Sequence, residues 1–387
     1  MKRILHILLN CMLLCCLGSC VDEFNAQLPE SESNLLVVEG NIISDSTCVF
    51  NLSRSFSLNE EKIPEDYDHI GAKVMVLGTD GSQYTATQTG NGSYTIEIGT
   101  LSPQHSYHLQ IDWKGNTYTS APQQPLVTED MELSFDQPEE YGAVHVRVST
   151  TPNSNNEVSY YIWDYVEDWE IRTEYRCKAI FDPTIGDYGK IIEYEEPPYD
   201  QGWVHRESKD IFVKSTENYQ DKRLNKAMLY SIASNDPRIS HLYSTFITQR
   251  KVTKGEYEYY QCKERFTNDM GGLFTPQPSE LPSNITCVDG KKRVIGYVGV
   301  NMNVSKQRLY IPTTEVQYEQ DYICKEYEPS FFQADSDKAI YFRGFRISYY
   351  FAPPMGPTFI KWAAEKCVDC RAFGADPDGK PDFWPNN

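Results

Sequence analysis

Positive charge is scarce in this sequence. Its 387 residues hold 36 Lys and Arg against 55 Asp and Glu, a formal net charge of −19. A surface that acidic repels phosphate backbones and anionic headgroups, which argues against nucleic-acid binding and against electrostatic adhesion to a membrane. Histidine is sparse as well: the seven are scattered, and no H-E-x-x-H occurs. His105 and His108 stand three apart, but on a strand they face opposite sides, so a shared metal is not expected. No P-loop and no G-x-S-x-G is present, so neither a phosphate cradle nor a nucleophile elbow can be named. Acids are spread so widely that no carboxylate pair stands out for glycoside cleavage. The sequence therefore nominates no catalytic residue, metal or cofactor. Beyond the first twenty residues there is no apolar run of spanning length, so no second membrane segment is expected.

What is present begins with a leader. Met1, Lys2 and Arg3 form a short positive region, and residues 4–17 are mostly apolar, of signal-peptide length and shorter than a span of roughly 20 residues. Leu17-Gly18-Ser19-Cys20 resembles the lipobox of bacterial lipoproteins, where small residues before a cysteine admit the lipoprotein signal peptidase. Cys20 is thus the expected lipid attachment site, with residues 1–19 removed. Cys15 and Cys16 fit badly, because neither follows two small residues. Loss of Lys2 and Arg3 leaves the body still more acidic, so attachment must come from acyl chains such as palmitate, of which two hold stably and one only marginally. Residues 20–34 read as a tether. Its Asp22 and Glu23 resemble the acidic export signal of surface-displayed lipoproteins in Bacteroidota, which favours the outer face of the outer membrane over the periplasmic one.

The chain beyond the tether reads as mainly β. Residues 35–127 are expected to form an immunoglobulin- or fibronectin-like β-sandwich, with short alternating strands joined at Asp80-Gly81, Asn91-Gly92 and Gly115-Asn116. The stretch from Gly71-Ala72 through the Asp80-Gly81 turn resembles carboxypeptidase-regulatory and fibronectin-like modules, a likeness that supports no activity by itself. Prolines 122, 125 and 138 among acids mark a boundary, with residues 128–142 as linker. Residues 143–387 then form a larger β-rich domain with a minor helical component. Thr253-Lys254-Gly255-Glu256 is a capping box that opens a helix near 254–266, with the Glu side chain reaching back to the cap. Residues 181–202, acidic and proline-bearing, read as a long exposed loop, and residues 359–366 as a short helix.

Seven cysteines follow Cys20, an odd number, so at least one stays unpaired in an oxidising compartment. Cys367 and Cys370 form a C-x-x-C without the thioredoxin-like context of a redox pair and without the second pair of a zinc site. A structural disulfide is expected, either within the pair or from it to Cys324. Asp376-Pro377-Asp378-Gly379 has the flavour of a calcium loop but lacks the later glutamate, and reads as a surface turn. The 27 tyrosines, with Trp163 and Trp169, suit both β cores and glycan stacking, and core packing is the stronger reading. Asp45-Ser46-Thr47 resembles an O-glycosylation site.

Gly271-Gly272-Leu273-Phe274, Gln277-Pro278-Ser279, Ser283-Asn284-Ile285 and Val294-Ile295-Gly296-Tyr297, in that order, resemble a Bacteroidota lipoprotein family known as domain of unknown function 4249. The closing Cys367-Val368-Asp369-Cys370-Arg371 and Lys380-Pro381-Asp382-Phe383-Trp384 look like the same family's C-terminal signature, so the resemblance runs from about Leu36 to Trp384. One departure stands out. The family tends to carry Cys-Trp near the middle, whereas here Gly202 precedes Trp203, which puts a disulfide built there in doubt unless Cys177 substitutes. The resemblance implies an outer-membrane lipoprotein often paired with a TonB-dependent receptor, and no known activity. The expectation is a non-enzymatic accessory that binds the receptor, or a glycan or peptide ligand, for nutrient uptake. The alternatives are a surface hydrolase with its site in the second domain and an adhesion or envelope module.

Overall fold

A computed structural model describes residues 35–55, 68, 70–152, 155–208, 210–268, 281–290, 292–332 and 336–385. The leader, Cys20 and the tether lie outside the described residues, as do the motifs at 271–274 and 277–279. The described chain is mainly β and builds three hydrophobic clusters.

The first cluster fills a sandwich of two five-stranded sheets. One sheet runs Val294–Gly296, Leu36–Glu39, Ser46–Arg54, Ser93–Ile98 and Thr87–Gln88. The other runs Ile285–Cys287, Asn116–Ser120, Tyr107–Trp113, Lys73–Gly78 and Gln83–Thr85. Period-two alternation drives the packing: in Tyr107–Trp113 every second side chain is buried, so Leu109 and Ile111 meet the core that Val38, Phe50 and Ile96 share. Asp80-Gly81 turns as expected, with Gly81 at φ 85° and the Ser82 amide donating to Asp80 Oδ1 at 2.9 Å. Gly92 also takes a positive φ, 65°, at the expected Asn91-Gly92 turn, whereas the turn after Trp113 uses Lys114 and Gly115, at φ 46° and 75°, one residue earlier than the sequence suggests.

This sandwich is not contiguous in sequence. Ile285–Cys287 and Val294–Gly296 return from far along the chain to close one edge of each sheet. Val294–Gly296 lies parallel to Leu36–Glu39, and a parallel neighbour cannot be reached through a hairpin. The crossover that delivers it is the second sandwich itself.

There, Met131–Asp136, Val144–Thr150 and Ala227–Ile232 form a three-stranded sheet. The expected linker thus contains a strand. A second sheet centres on Tyr160–Arg172, flanked by Gln201–Glu207 and Leu242–Val252, with Ser305–Pro312 outside the latter and Phe212–Ser215 also pairing with the central strand. Trp163 and Trp169 are buried between the sheets. The helix Lys254–Asn268 begins at the expected cap, where the Glu256 amide donates to Thr253 Oγ1 at 3.2 Å. Its Glu256 carboxylate does not return to the cap. It accepts from Arg250 Nη1 at 2.6 Å, both groups buried, against the Gly299 backbone that joins the two sandwiches. Burial lifts the Glu256 carboxyl, and Arg250 opposes that lift.

The third cluster gathers two hairpins around Trp362. Residues 181–202, expected as a loop, contribute to the hairpin Ala179–Asp182 with Lys190–Glu193. Residues 359–366, expected as a helix, form the strand Phe359–Ala364 paired with Phe345–Phe351, ending in a single turn Glu365–Cys367. Among the described residues no helix is long and apolar enough to cross a membrane.

Candidate functional site

The central strand Tyr160–Arg172 carries three buried acids that sequence reasoning passed over, Glu167, Asp168 and Glu170. Alternation sets Glu167 on the core face beside Tyr165 and Trp169, and sets Asp168 and Glu170 on the opposite face. Glu167 accepts from Arg206 Nε at 2.8 Å, from Arg238 Nη1 at 2.6 Å and from the Tyr243 hydroxyl at 2.6 Å. Arg238 is shared with Asp236 at 2.7 Å. A buried carboxylate so fully engaged acts as a core strut, because its desolvation is offset only by these partners. The signal in sequence was the run of acids inside an aromatic strand; the partners come from other strands and could not be paired by eye.

On the opposite face a serine, an aspartate and a histidine stand in one cross-strand row: Asp168 is in register with His205 on one neighbour and Ser244 on the other. A hydrolase would need the histidine between the other two. Here the aspartate lies in the middle, with His205 Nδ1 2.7 Å from Asp168 Oδ1. Ser244 is fully buried and accepts from Arg308 Nη1 at 2.8 Å, and the same guanidinium reaches Asp168 at 3.2 Å. A serine hydrogen-bonded to arginine has no base to activate it. The closing Phe383-Trp384 covers this face: Arg308 stacks on Phe383 at 3.4 Å, and Trp384 Nε1 donates to Glu170 Oε2 at 3.1 Å.

The cysteines divide differently from one expectation. Cys367 bonds to Cys324, and Cys370 remains a free, buried thiol, so the bond within the C-x-x-C is not formed. The two sulfurs belong to different layers: Cys367 packs in the cluster around Trp362, whereas Cys370 packs in the second sandwich. Burial pushes the Cys370 thiol up to about 12, which suits an inert apolar side chain and not a redox nucleophile. Cys177 is free and packs with the third cluster, so it does not substitute for a cysteine before Trp203. Asp376 is tied by its backbone to Trp203, at 2.9 and 2.8 Å, and its Oδ1 accepts from the Asp378 amide at 3.0 Å, the geometry of a turn. Among the described residues no group of three or more His, Cys, Asp or Glu converges as a metal site, His105 and His108 included. In Asp45-Ser46-Thr47 the threonine hydroxyl donates to Glu97 at 2.8 Å.

One end of the third cluster exposes a group of apolar side chains. The hairpin Phe345–Phe351 with Phe359–Ala364 buries Ile347 and Trp362 at its base. At its far end Phe351 and Phe359 are half exposed, at 50% and 53%, with ring centroids 6.4 Å apart. Met355, in the Pro353-Pro354-Met355-Gly356 connection, is 92% exposed, and the half-exposed Tyr349 ring lies 5.7 Å from Lys361 Nζ. Burying such side chains in a partner is worth about 1.5–3 kcal/mol each, so leaving several exposed on one projection marks a contact surface. Sequence reading missed it because it took residues 359–366 for a helix.

No curated protein matches this chain. Residues 21–308, well over half of its length and spanning both sandwiches, match a family described as a domain of unknown function (DUF4249). That match stops short of the closing Cys-Val-Asp-Cys-Arg and Lys-Pro-Asp-Phe-Trp stretches. On the strength of it, the chain belongs to this domain-of-unknown-function family.

Proposed function

We propose that the protein is a lipid-anchored accessory of the outer membrane, held by acyl chains on Cys20, which docks onto a TonB-dependent receptor and catalyses nothing. The observation that carries the reading is the bare apolar end of the Phe345–Phe351 and Phe359–Ala364 hairpin, with Phe351, Met355 and Phe359 exposed together. A co-anchored receptor is the partner that meets such a projection most often, since both are confined to one membrane plane. The Asp168 row does not supply a serine-hydrolase triad, by its order and by the burial of Ser244. The test is affinity purification of the tagged protein from detergent-solubilised outer membranes. One TonB-dependent receptor is expected in near-equal amount, and the paired substitution Phe351→Ser with Phe359→Ser should reduce its recovery at least tenfold. Cys20→Ser should move the protein to a soluble fraction. Recovery of no receptor, with cleavage of a glycan or peptide by the pure protein, would overturn the proposal.

A further inference from the structure

At the base of the same hairpin lies a cavity of about 290 Å³, at the small end of the range for small-molecule sites. Its floor is apolar, built by Ala179 and Phe181 from one hairpin, Ile347 from the other and Val368 from the C-terminal turn. Cys177 also lines it, and burial raises that thiol so that it stays uncharged at neutral pH. Two guanidiniums line the cavity as well. Arg346 lies over the Tyr341 ring at 3.9 Å, and Arg371 over the Tyr199 ring at 3.4 Å, so both are held in place by aromatic faces.

Neither guanidinium has used all of its donors. Arg371 gives Nε and Nη2 to Asp369, at 2.9 and 2.7 Å, and its Nη1 makes no hydrogen bond among the described residues. Arg346 gives Nη1 to the carbonyls of Tyr341 and Phe345, at 3.1 and 2.9 Å, and Nη2 to Glu365, leaving Nε without a partner among them. Both Asp369 oxygens are occupied by Arg371, so that acid does not compete for a ligand's cation. Asp182, on the rim, uses Oδ1 to accept from the Thr184 amide and hydroxyl, at 2.8 and 2.6 Å, and those donors hold its carboxyl below the usual range. The rim thus combines two arginines with N–H groups to give and one ionised acid with an oxygen to spare.

We infer that this cavity binds a small apolar carboxylate, its carboxylate on Arg371 and Arg346 and its apolar body on the Phe181 and Ile347 floor. The unused N–H groups give a carboxylate charge-assisted hydrogen bonds, and a site that binds through them discriminates against analogues lacking the charge. A hydrophobic α-amino acid belongs to the same class, with its ammonium placed toward Asp182. The inference stands apart from receptor docking, since it rests on the base of the hairpin and not on its exposed end.

The experiment is calorimetric titration of the mature full chain with octanoate, phenylacetate, leucine and phenylalanine, with octanamide as the neutral control. In parallel, the rate at which a methanethiosulfonate labels Cys177 is followed with and without each compound. At least one carboxylate should bind, slow Cys177 labelling at least fivefold, and bind at least tenfold more weakly to Arg371→Met. If Arg371→Met does not fold, Arg371→Lys, which keeps the charge but cannot hold Asp369 and a ligand at once, should show the same loss in smaller degree. Binding by leucine and phenylalanine alone assigns the ammonium to Asp182, while octanoate binding assigns the carboxylate as sufficient. Equal binding of octanamide, or no protection of Cys177 by any of the four, would overturn the inference.

Discussion

At Gly202 a Cβ would stand 2.8 Å from Cys370 Sγ and 3.1 Å from both Ala375 Cβ and the Asp376 carbonyl carbon. Glycine is therefore required by close approach, not by a turn: the C-terminal segment lies directly on the Gln201–Glu207 strand. A cysteine in place of Gly202 would set its sulfur against Cys370, which is a free thiol here. Gly202→Ala should lower stability by about 1–3 kcal/mol through overpacking. Gly202→Cys should reverse that loss once oxidised, since a disulfide closing a long loop contributes about 2–4 kcal/mol. Peptide mapping without reduction should find residues 202 and 370 bridged while Cys324–Cys367 persists. Two free thiols at 202 and 370 under oxidising conditions would show that the segments are not as close as their backbones place them.

The elements that alternate cleanly were legible from their own residues: Tyr107–Trp113 and Val144–Thr150 each bury every second side chain, and the turn after Trp113 places Gly115 at positive φ. Other elements depend on partners that local pattern cannot reveal. Val294–Gly296 is three residues long and gains its place only by pairing with Leu36–Glu39. Phe359–Ala364 ends in Ala-Ala and looks helical, yet its Trp362 and Ile360 are fixed by Ile347 and Tyr350 across the hairpin. The acids of the central strand were visible as residues, but their arginines were not, because register decides them. The cysteine arithmetic left Cys324 and Cys370 as alternatives for Cys367, and packing in separate layers decided between them. The return strands carry a consequence for the expected first domain. Residues 35–127 alone leave the Leu36–Glu39 and Asn116–Ser120 edges bare and lose Ile285, Val294, Val298 and Val300 from the core. Expressed alone, this fragment should give poorly dispersed amide spectra and a broad melt, whereas the same fragment joined through a flexible linker to residues 281–304 should melt cooperatively. Cooperative melting of 35–127 by itself would show that the edge strands are dispensable.

For the whole molecule, the question is which force brings it to a partner. The chain carries a net charge of −19, and that field acts at a distance: it repels anionic surfaces and accelerates encounter with any basic face. The hairpin end acts only on contact, through Phe351, Met355 and Phe359; of the charges beside it, Lys361 pairs with Glu326 at 2.9 Å and Glu328 lines the same surface. The two forces respond oppositely to salt. Ions screen exposed charges beyond about 8–10 Å at 0.10–0.15 M, while the burial of apolar surface is not weakened by them. If the hairpin supplies the affinity, receptor recovered with the tagged protein should change less than twofold between 50 and 500 mM sodium chloride, while association with a basic receptor face slows as salt rises. Replacing Phe351 and Phe359 with serine should then remove capture at every salt concentration. A tenfold fall in wild-type capture over that range would show that the acidic surface, not the hairpin, holds the complex together, and the proposed anchor at Cys20 would then serve mainly to keep the two charged faces within reach of each other.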